Sequence, residues 1–135
     1  MTRILLLTWT PASWHPVLRF TSQILSEQGH SVDILSRMPP SRSEIPGAID
    51  FGERATVHTI GHGFSGWPGR LDYVMFLRAA FGFARARRPD VIIGYDMRGV
   101  SAAYLARLAC PGARLVYHNL DLVSENELSS FGRLA

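Results

Sequence analysis

Short apolar runs alternate along this chain with longer segments whose apolar residues recur every three or four positions. The first run, Ile4-Leu5-Leu6-Leu7 between Arg3 and Thr8, has no polar face. Such a run suits a strand covered on both sides in a parallel sheet. After the loop Trp9–His15, Pro16 stands where a helix accepts a first-turn proline. Val17, Phe20, Ile24 and Leu25 follow at helical spacing, and Gly29 marks the expected end. Ser31–Ser36 reads as a second strand, which completes a strand–helix–strand unit of about 30 residues.

The stretch 37–55 is polar and turn-rich (Pro39-Pro40, Pro46-Gly47), so a connection with little regular structure is expected there. Thr56–Ile60 predicts a third, short strand. Gly61–Gly69 holds four glycines and predicts a mobile loop. Leu71–Arg88 predicts a long helix cut off by Pro89, and Asp90–Tyr95 a fourth strand. Gly99–Ala109 predicts a small-residue helix ended by Pro111-Gly112, and Arg114–His118 a fifth strand. This alternation predicts an α/β domain: a doubly wound parallel sheet in the order 3-2-1-4-5, with helices on both faces.

In such sheets ligands bind beyond the carboxyl ends of the strands. That rule selects residues 8–15, 37–44, 61–69, 95–99 and 118–125 before any motif is considered. The loop after the first strand, Thr8-Trp9-Thr10-Pro11-Ala12-Ser13-Trp14-His15-Pro16, contains no glycine. A G-x-G-x-x-G turn and a G-x-x-x-x-G-K-[ST] loop are both absent, so the usual dinucleotide and NTPase readings lose their main support.

Composition narrows the picture further. A length of 135 residues bounds the chain to one domain or a piece of a larger protein. Hydrophobic residues at 47% and charged residues at 19% support a buried core and exclude global disorder. The 14 basic residues are all Arg and face 11 acidic ones, for a net charge of +3. That excess is too small and too dispersed to indicate nucleic acid. Cys110 is the single cysteine, so no intrachain disulfide forms, and no His/Cys ligand spacing suggests a metal. The apolar runs are too short for a signal peptide or a spanning helix, so a cytoplasmic protein is expected.

Three stretches in order resemble the family-4-like glycosyltransferases of the GT-B type that use nucleotide sugars. They are HPVLRFTSQILSEQGHSVDILSR, RPDVIIGYDMRGVSAAYLARL and ARLVYHNLDLVSENE. The resemblance covers most of residues 3–127 and is weakest between 37 and 70. It implies a Rossmann-like N-terminal half, residues 1–135, that holds the acceptor. The donor-binding C-terminal domain of that architecture is expected to be missing from this chain. The implied function is the acceptor-side part of transfer from a nucleotide-diphosphate sugar to an acceptor hydroxyl, inactive alone. The nucleotide sugar is then a donor substrate, with no cofactor and no metal. The implied acceptor is a sugar or a lipid-linked sugar, with a peripheral contact at the inner membrane face and no nucleic acid. The chain departs from its relatives at Pro11-Ala12-Ser13-Trp14, where many carry Gly-Gly, and at Tyr95, where many carry histidine. Their histidine after the fifth strand falls at Leu120 in the ungapped register, two residues past His118.

The candidate residues each carry two readings. His118 and Asn119 end a buried strand, where a histidine can bond a sugar hydroxyl or move a proton near neutral pH. It can equally bond a loop carbonyl. Asp96 could orient a hydroxyl or cap the next helix. Arg98, beside free helix N–H groups, could hold a phosphate. Asp121 and Glu125, four apart, could act on acceptor hydroxyls or form a solvated acidic helix start. With Asp96 and Asp121, His118 forms the expected catalytic set. Thr10, Trp14, His15, Gly63, Tyr95, Arg98 and Asn119 are the expected substrate-binding set. Trp14 and Trp67 suit stacking on sugar faces or plugging apolar gaps. His58 and His62 have no third ligand nearby and read as structural or acceptor-contacting. The helix at 71–88 carries Val74, Met75, Phe76, Leu77, Phe81 and Phe83 and ends in Arg85, Arg87 and Arg88. It suits core packing or an anionic lipid surface.

Two other classes compete with the enzyme fragment. One is a stand-alone binding module, or one half of a split two-chain transferase. The other is a flavodoxin-like receiver or carrier, which the lack of an acidic cluster after the first strand counts against.

Overall fold

The computed structural model describes residues 2–10, 12, 16–37, 50–60 and 67–118, the side chains of 67–69 excepted. The elements run β1 (Arg3–Thr8), α1 (Pro16–Glu27), β2 (Ser31–Arg37), β3 (Ala55–Ile60), α2 (Trp67–Arg87), β4 (Val91–Gly94), α3 (Met97–Ala109) and β5 (Arg114–Tyr117). All five strands are parallel, in the order β3-β2-β1-β4-β5. This is the topology that the sequence pattern predicts.

β1 sits at the centre because nothing in it needs water. Ile4 through Thr8 are buried, and the strand pairs with β2 on one side and β4 on the other. The pleat sends alternate residues to opposite faces. Leu5, Leu7 and Trp9, with Leu35 and Ile92, face α2 and α3. Ile4 and Leu6, with Val32, Ile34 and Tyr95, form a second core with Leu18 of α1.

The helical layer over the first of these faces is built on small residues. Ala80 and Ala84 of α2, and Ala102, Ala103 and Ala106 of α3, are fully buried. Alanine side chains let a helix approach the sheet and its neighbour closely, while Phe76 fills the space that remains.

α1 buries a different kind of surface. Its buried residues are Leu18, Ser22 and Ser26, while Val17, Phe20 and Ile24 face outward. The serines are bonded to the segment before β3. Ser22 Oγ donates to the Phe51 carbonyl at 2.6 Å, and Ser26 Oγ accepts from the Arg54 N–H at 2.7 Å. Gly52 lies so close that a Cβ there would fall 2.5 Å from Ser26 Cβ. The helical period along α1 is therefore real, but Val17, Phe20 and Ile24 lie on its outer side, and Leu18 and Leu25 pack beside the serines.

Strand ends fall within one residue of the sequence expectation, but two helices start earlier than expected. α2 begins at Trp67, not Leu71, because Pro68 falls in the first turn, where a missing N–H costs nothing. α3 begins at Met97, two residues early, because Asp96 caps it.

Candidate functional site at the carboxyl edge of the sheet

The carboxyl ends of β1, β4 and β5 lie side by side, and a single carboxylate ties the first two together. Asp96 Oδ2 accepts from the N–H groups of Trp9 (2.9 Å) and Thr10 (3.0 Å). The same oxygen accepts from the hydroxyls of Thr8 (3.0 Å) and Thr10 (3.1 Å). Asp96 Oδ1 accepts from the Gly99 N–H and caps α3. Four of the five donors converge on Oδ2, and Oδ1 serves the helix cap. Asp96 thus carries the capping role weighed above and extends it, because it also fixes the turn that leaves β1. Gly99 permits this packing. A Cβ there would lie 2.5 Å from the Leu7 carbonyl oxygen and 2.9 Å from Asp96 Oδ1.

β5 adds His118 to the same edge. Its N–H donates to the Gly94 carbonyl at 3.0 Å, which continues the β4–β5 ladder one step past Tyr117. That step sets His118 beside Tyr95, with ring centroids 5.2 Å apart at 61°. Tyr95, expected on the crevice wall, is 1% exposed and belongs to the core against Leu6 and Leu18. One residue past β4, the pleat turns its ring toward α1, beneath the crevice. Burial pushes its phenol above the ordinary range, and a side-chain hydrogen bond with Thr21 works in the opposite direction.

A second group at this edge was not singled out from the sequence. The Trp9 indole is edge-on to Tyr73 (5.3 Å) and Phe76 (5.5 Å) at the start of α2. Arg37, the last residue of β2, places its guanidinium 4.9 Å from the Trp9 ring centroid. Arg98 places its own 5.6 Å from Trp9 and 5.4 Å from Tyr73. Cations over aromatic faces are held by about 0.5–1 kcal/mol each, more when desolvated. The rule that ligands sit beyond strand ends does point to residue 37, but no motif names it.

Of the expected site residues, Thr10, Tyr95, Asp96, Arg98 and His118 therefore come together on adjoining strand ends. Trp14, His15, Gly63, Asn119 and Asp121 lie outside the described residues, as do His62 and Glu125. His58 sits away from this edge's polar group, with Nε2 3.3 Å from Asp33 Oδ1 and its ring 4.9 Å from Phe83. Among the described residues no group of three His, Cys, Asp or Glu could hold a metal ion. No described helix is long and apolar enough to cross a membrane.

A parallel sheet in this order, with helices on both faces, defines a Rossmann-like α/β domain. Residues 16–134 match the Glycosyl transferase 4-like domain, and the chain belongs to that family. Among solved structures, CalG4, the calicheamicin glycosyltransferase, is similar over 99% of this chain, with a TM-score of 0.64 and 20% identity. That match spans 34% of CalG4. A Listeria monocytogenes protein assigned as a UDP-N-acetylglucosamine 2-epimerase is similar over 96% of this chain and 33% of its own, with a TM-score of 0.53 and 13% identity. At these identities the likeness is one of fold, and the chain spans about a third of the length of either protein. No curated protein matches the chain.

Proposed function

We propose that this domain is the acceptor side of a glycosyltransferase that moves a sugar from a nucleotide-diphosphate sugar to an acceptor hydroxyl. A second domain or chain holds most of the donor. The acceptor is a sugar or a lipid-linked sugar. The observation that carries this reading is the placement of His118 on Tyr95, one strand from the Asp96–Thr10 turn, at the edge where parallel sheets bind ligands.

His118 is the residue for the transferred sugar or the acceptor proton. A neutral imidazole carries one N–H donor and one nitrogen acceptor, so it can hydrogen-bond a hydroxyl and take its proton. Both oxygens of Asp96 accept hydrogen bonds from within the protein, so it acts as a positioning residue that holds the Thr10 backbone and the α3 start in place. Asp121 is then the carboxylate left to orient the acceptor hydroxyl. The leaving diphosphate needs cations or amide donors as charge develops. Arg98, one residue inside the N-terminus of α3, is the group of this chain suited to that task, and no metal is required by it.

The test is His118→Ala, assayed with a donor-binding half present on the same or a second chain. Turnover should fall by about 10²-fold or more if the imidazole aids proton transfer. The circular dichroism spectrum and melting temperature should hold, because the side chain sits at a strand end. Unchanged turnover in a folded variant overturns the assignment, and activity lost to EDTA overturns the metal-free mechanism.

A further inference from the structure

Two arginines of this chain stand where the helix dipole works against them. Arg85 and Arg87 of α2 and Arg107 of α3 lie in last turns, where a helix favours cations. Arg70 and Arg98 lie instead within the first four residues of the same two helices. Neither helix has an acidic residue in its first turn, the place where a helix favours one. The misplaced charges meet the aromatic group at the carboxyl edge. Arg98 lies over Trp9 and Tyr73, and Arg37 reaches the Trp9 ring from the end of β2. Arg70 is exposed and precedes Tyr73 by three residues, so it stands on the Tyr73 side of α2, nearer the helix start. Aromatic faces hold guanidinium groups in place but do not neutralise them. Two carboxylates lie near this corner in sequence. Asp96 turns both oxygens onto donors of the protein, and Asp72 is buried at 2% exposure. No described carboxylate forms an ion pair with Arg98. Three arginines and two helix N-termini therefore leave the surface of the corner positive. A break of this kind in the local charge rule is expected where a ligand supplies the missing charge.

We propose that this corner binds the phosphate or carboxylate of an anionic sugar, which serves as the acceptor. The inference rests on the transferase reading and adds the charge of the acceptor to it. Topology sets the corner apart from the transfer point. His118, the group for the transferred sugar, follows β5, while Arg37 ends β2, three strands away, or about 14 Å at the usual strand spacing. An oxyanion held there belongs to the part of the acceptor remote from the reacting hydroxyl. Arg98, beside β4, is the arginine nearest the donor, and Arg37 and Arg70 lie beyond it. Guanidinium groups grip phosphate and carboxylate with paired N–H donors. Trp9, at 8% exposure, is a rigid platform that orients Arg37 and Arg98 in advance, which lowers the cost of binding.

The experiment is an NMR titration of the 135-residue chain with glucose 6-phosphate, glucuronate, glucose and UDP, followed at the Trp9 indole N–H and the Tyr73 ring. Glucose 6-phosphate or glucuronate should shift both signals saturably, and the one that does so names the oxyanion. Glucose should shift neither. Arg37→Gln and Arg70→Gln should each weaken the binding about 10-fold or more, the size of a lost charge-assisted hydrogen bond. Arg70 is exposed, so Arg70→Gln decides the matter if Arg37→Gln lowers the melting temperature. His118→Ala should bind the sugar anion unchanged, so the acceptor charge and the transferase reading fail separately. The absence of a saturable shift with either anion overturns the proposal, as do equal shifts with glucose or binding that neither arginine variant weakens. Tighter binding of UDP that both arginine variants weaken overturns it as well, and makes the corner a site for the donor diphosphate.

Discussion

The two faces of the sheet are held by different chemistry. The face under α2 and α3 is an apolar core in which alanines bring α3 onto β1, β4 and β5 and α2 onto β2 and β3, and Phe76 fills the gap. Its stability comes from area and close packing, which are non-directional. The face under α1 is a smaller core with hydroxyls inside it. Ser22 and Ser26 take up backbone groups of Phe51 and Arg54 in place of apolar contacts. Hydrogen bonds of this kind contribute modestly when made and cost more when one partner is removed. The first face should therefore tolerate polar change poorly and small apolar change in proportion to volume. The second should respond to the loss of single atoms. The candidate site sits where the two meet, since Asp96 caps a helix of the first face while Tyr95 reports on the core of the second.

The largest expected effect comes from cutting that junction. Asp96→Ala removes the acceptor for two backbone N–H groups of the β1 turn, the α3 N-terminus and two threonine hydroxyls. Thr8 is fully buried, so water cannot replace its partner there. A loss of about 3–5 kcal/mol is expected, combining a lost N-cap with several unsatisfied donors. Denaturant melts should show it directly. Asp96→Asn should recover only part, because its amide nitrogen places a donor where a carboxylate oxygen accepted. A change below about 1 kcal/mol for the alanine variant, the size of a simple cap, would show that the junction carries nothing beyond capping.

How much of this was legible in the sequence follows the same division. The strands were legible because β1 is buried on both faces and leaves an uninterrupted apolar run, β4 carries Val91-Ile92-Ile93, and β2 sets Val32, Ile34 and Leu35 around Asp33. The strand order followed from the strand–helix alternation together with right-handed crossovers. The start of α2 was not legible, since Pro68-Gly69 reads as loop chemistry and only the fold shows a helix using Pro68 in its first turn. The working face of α1 was not legible either. Val17, Phe20, Ile24 and Leu25 carry the period, yet of these Leu25 alone packs on the core, and the approach of residues 50–54 selects the serines. At the site, Asp96, Arg98 and His118 were found by counting past strand ends. The depth of Tyr95 was not, because it depends on which way the pleat turns one residue beyond β4. The Arg37–Trp9–Tyr73–Arg98 group was missed because four residues from four elements meet there with no spacing that links them.

A smaller effect sharpens the contrast within the α1 face. Ser26→Ala leaves the helix backbone untouched and removes only the acceptor for the Arg54 N–H. About 1 kcal/mol of destabilisation is expected. Hydrogen exchange at the Arg54 amide should accelerate more than exchange in β1. If stability is unchanged and that amide stays protected, the serine is not what holds residues 50–54 on α1.

The smallest effect concerns pH, and it tests whether Tyr95 is as deep as its packing says. Burial favours the neutral phenol, so its folded-state pKa lies above the unfolded value of about 10. Below pH 10 the group is protonated in both states, and its contribution is fully present. As pH rises past 10 the unfolded chain releases this proton first, and stability falls until the folded pKa is reached. One proton sets the limit at about 1.4 kcal/mol per pH unit. Tyr95→Phe keeps the ring against Leu18 and His118 and removes the titration. The variant should lose stability more slowly than the parent protein between pH 10 and 11, while the two run parallel below pH 9. Parallel curves across the whole range would place the hydroxyl within reach of water. His118 would then rest on a wet platform, and the α1 face would be polar at the site as well as along its helix.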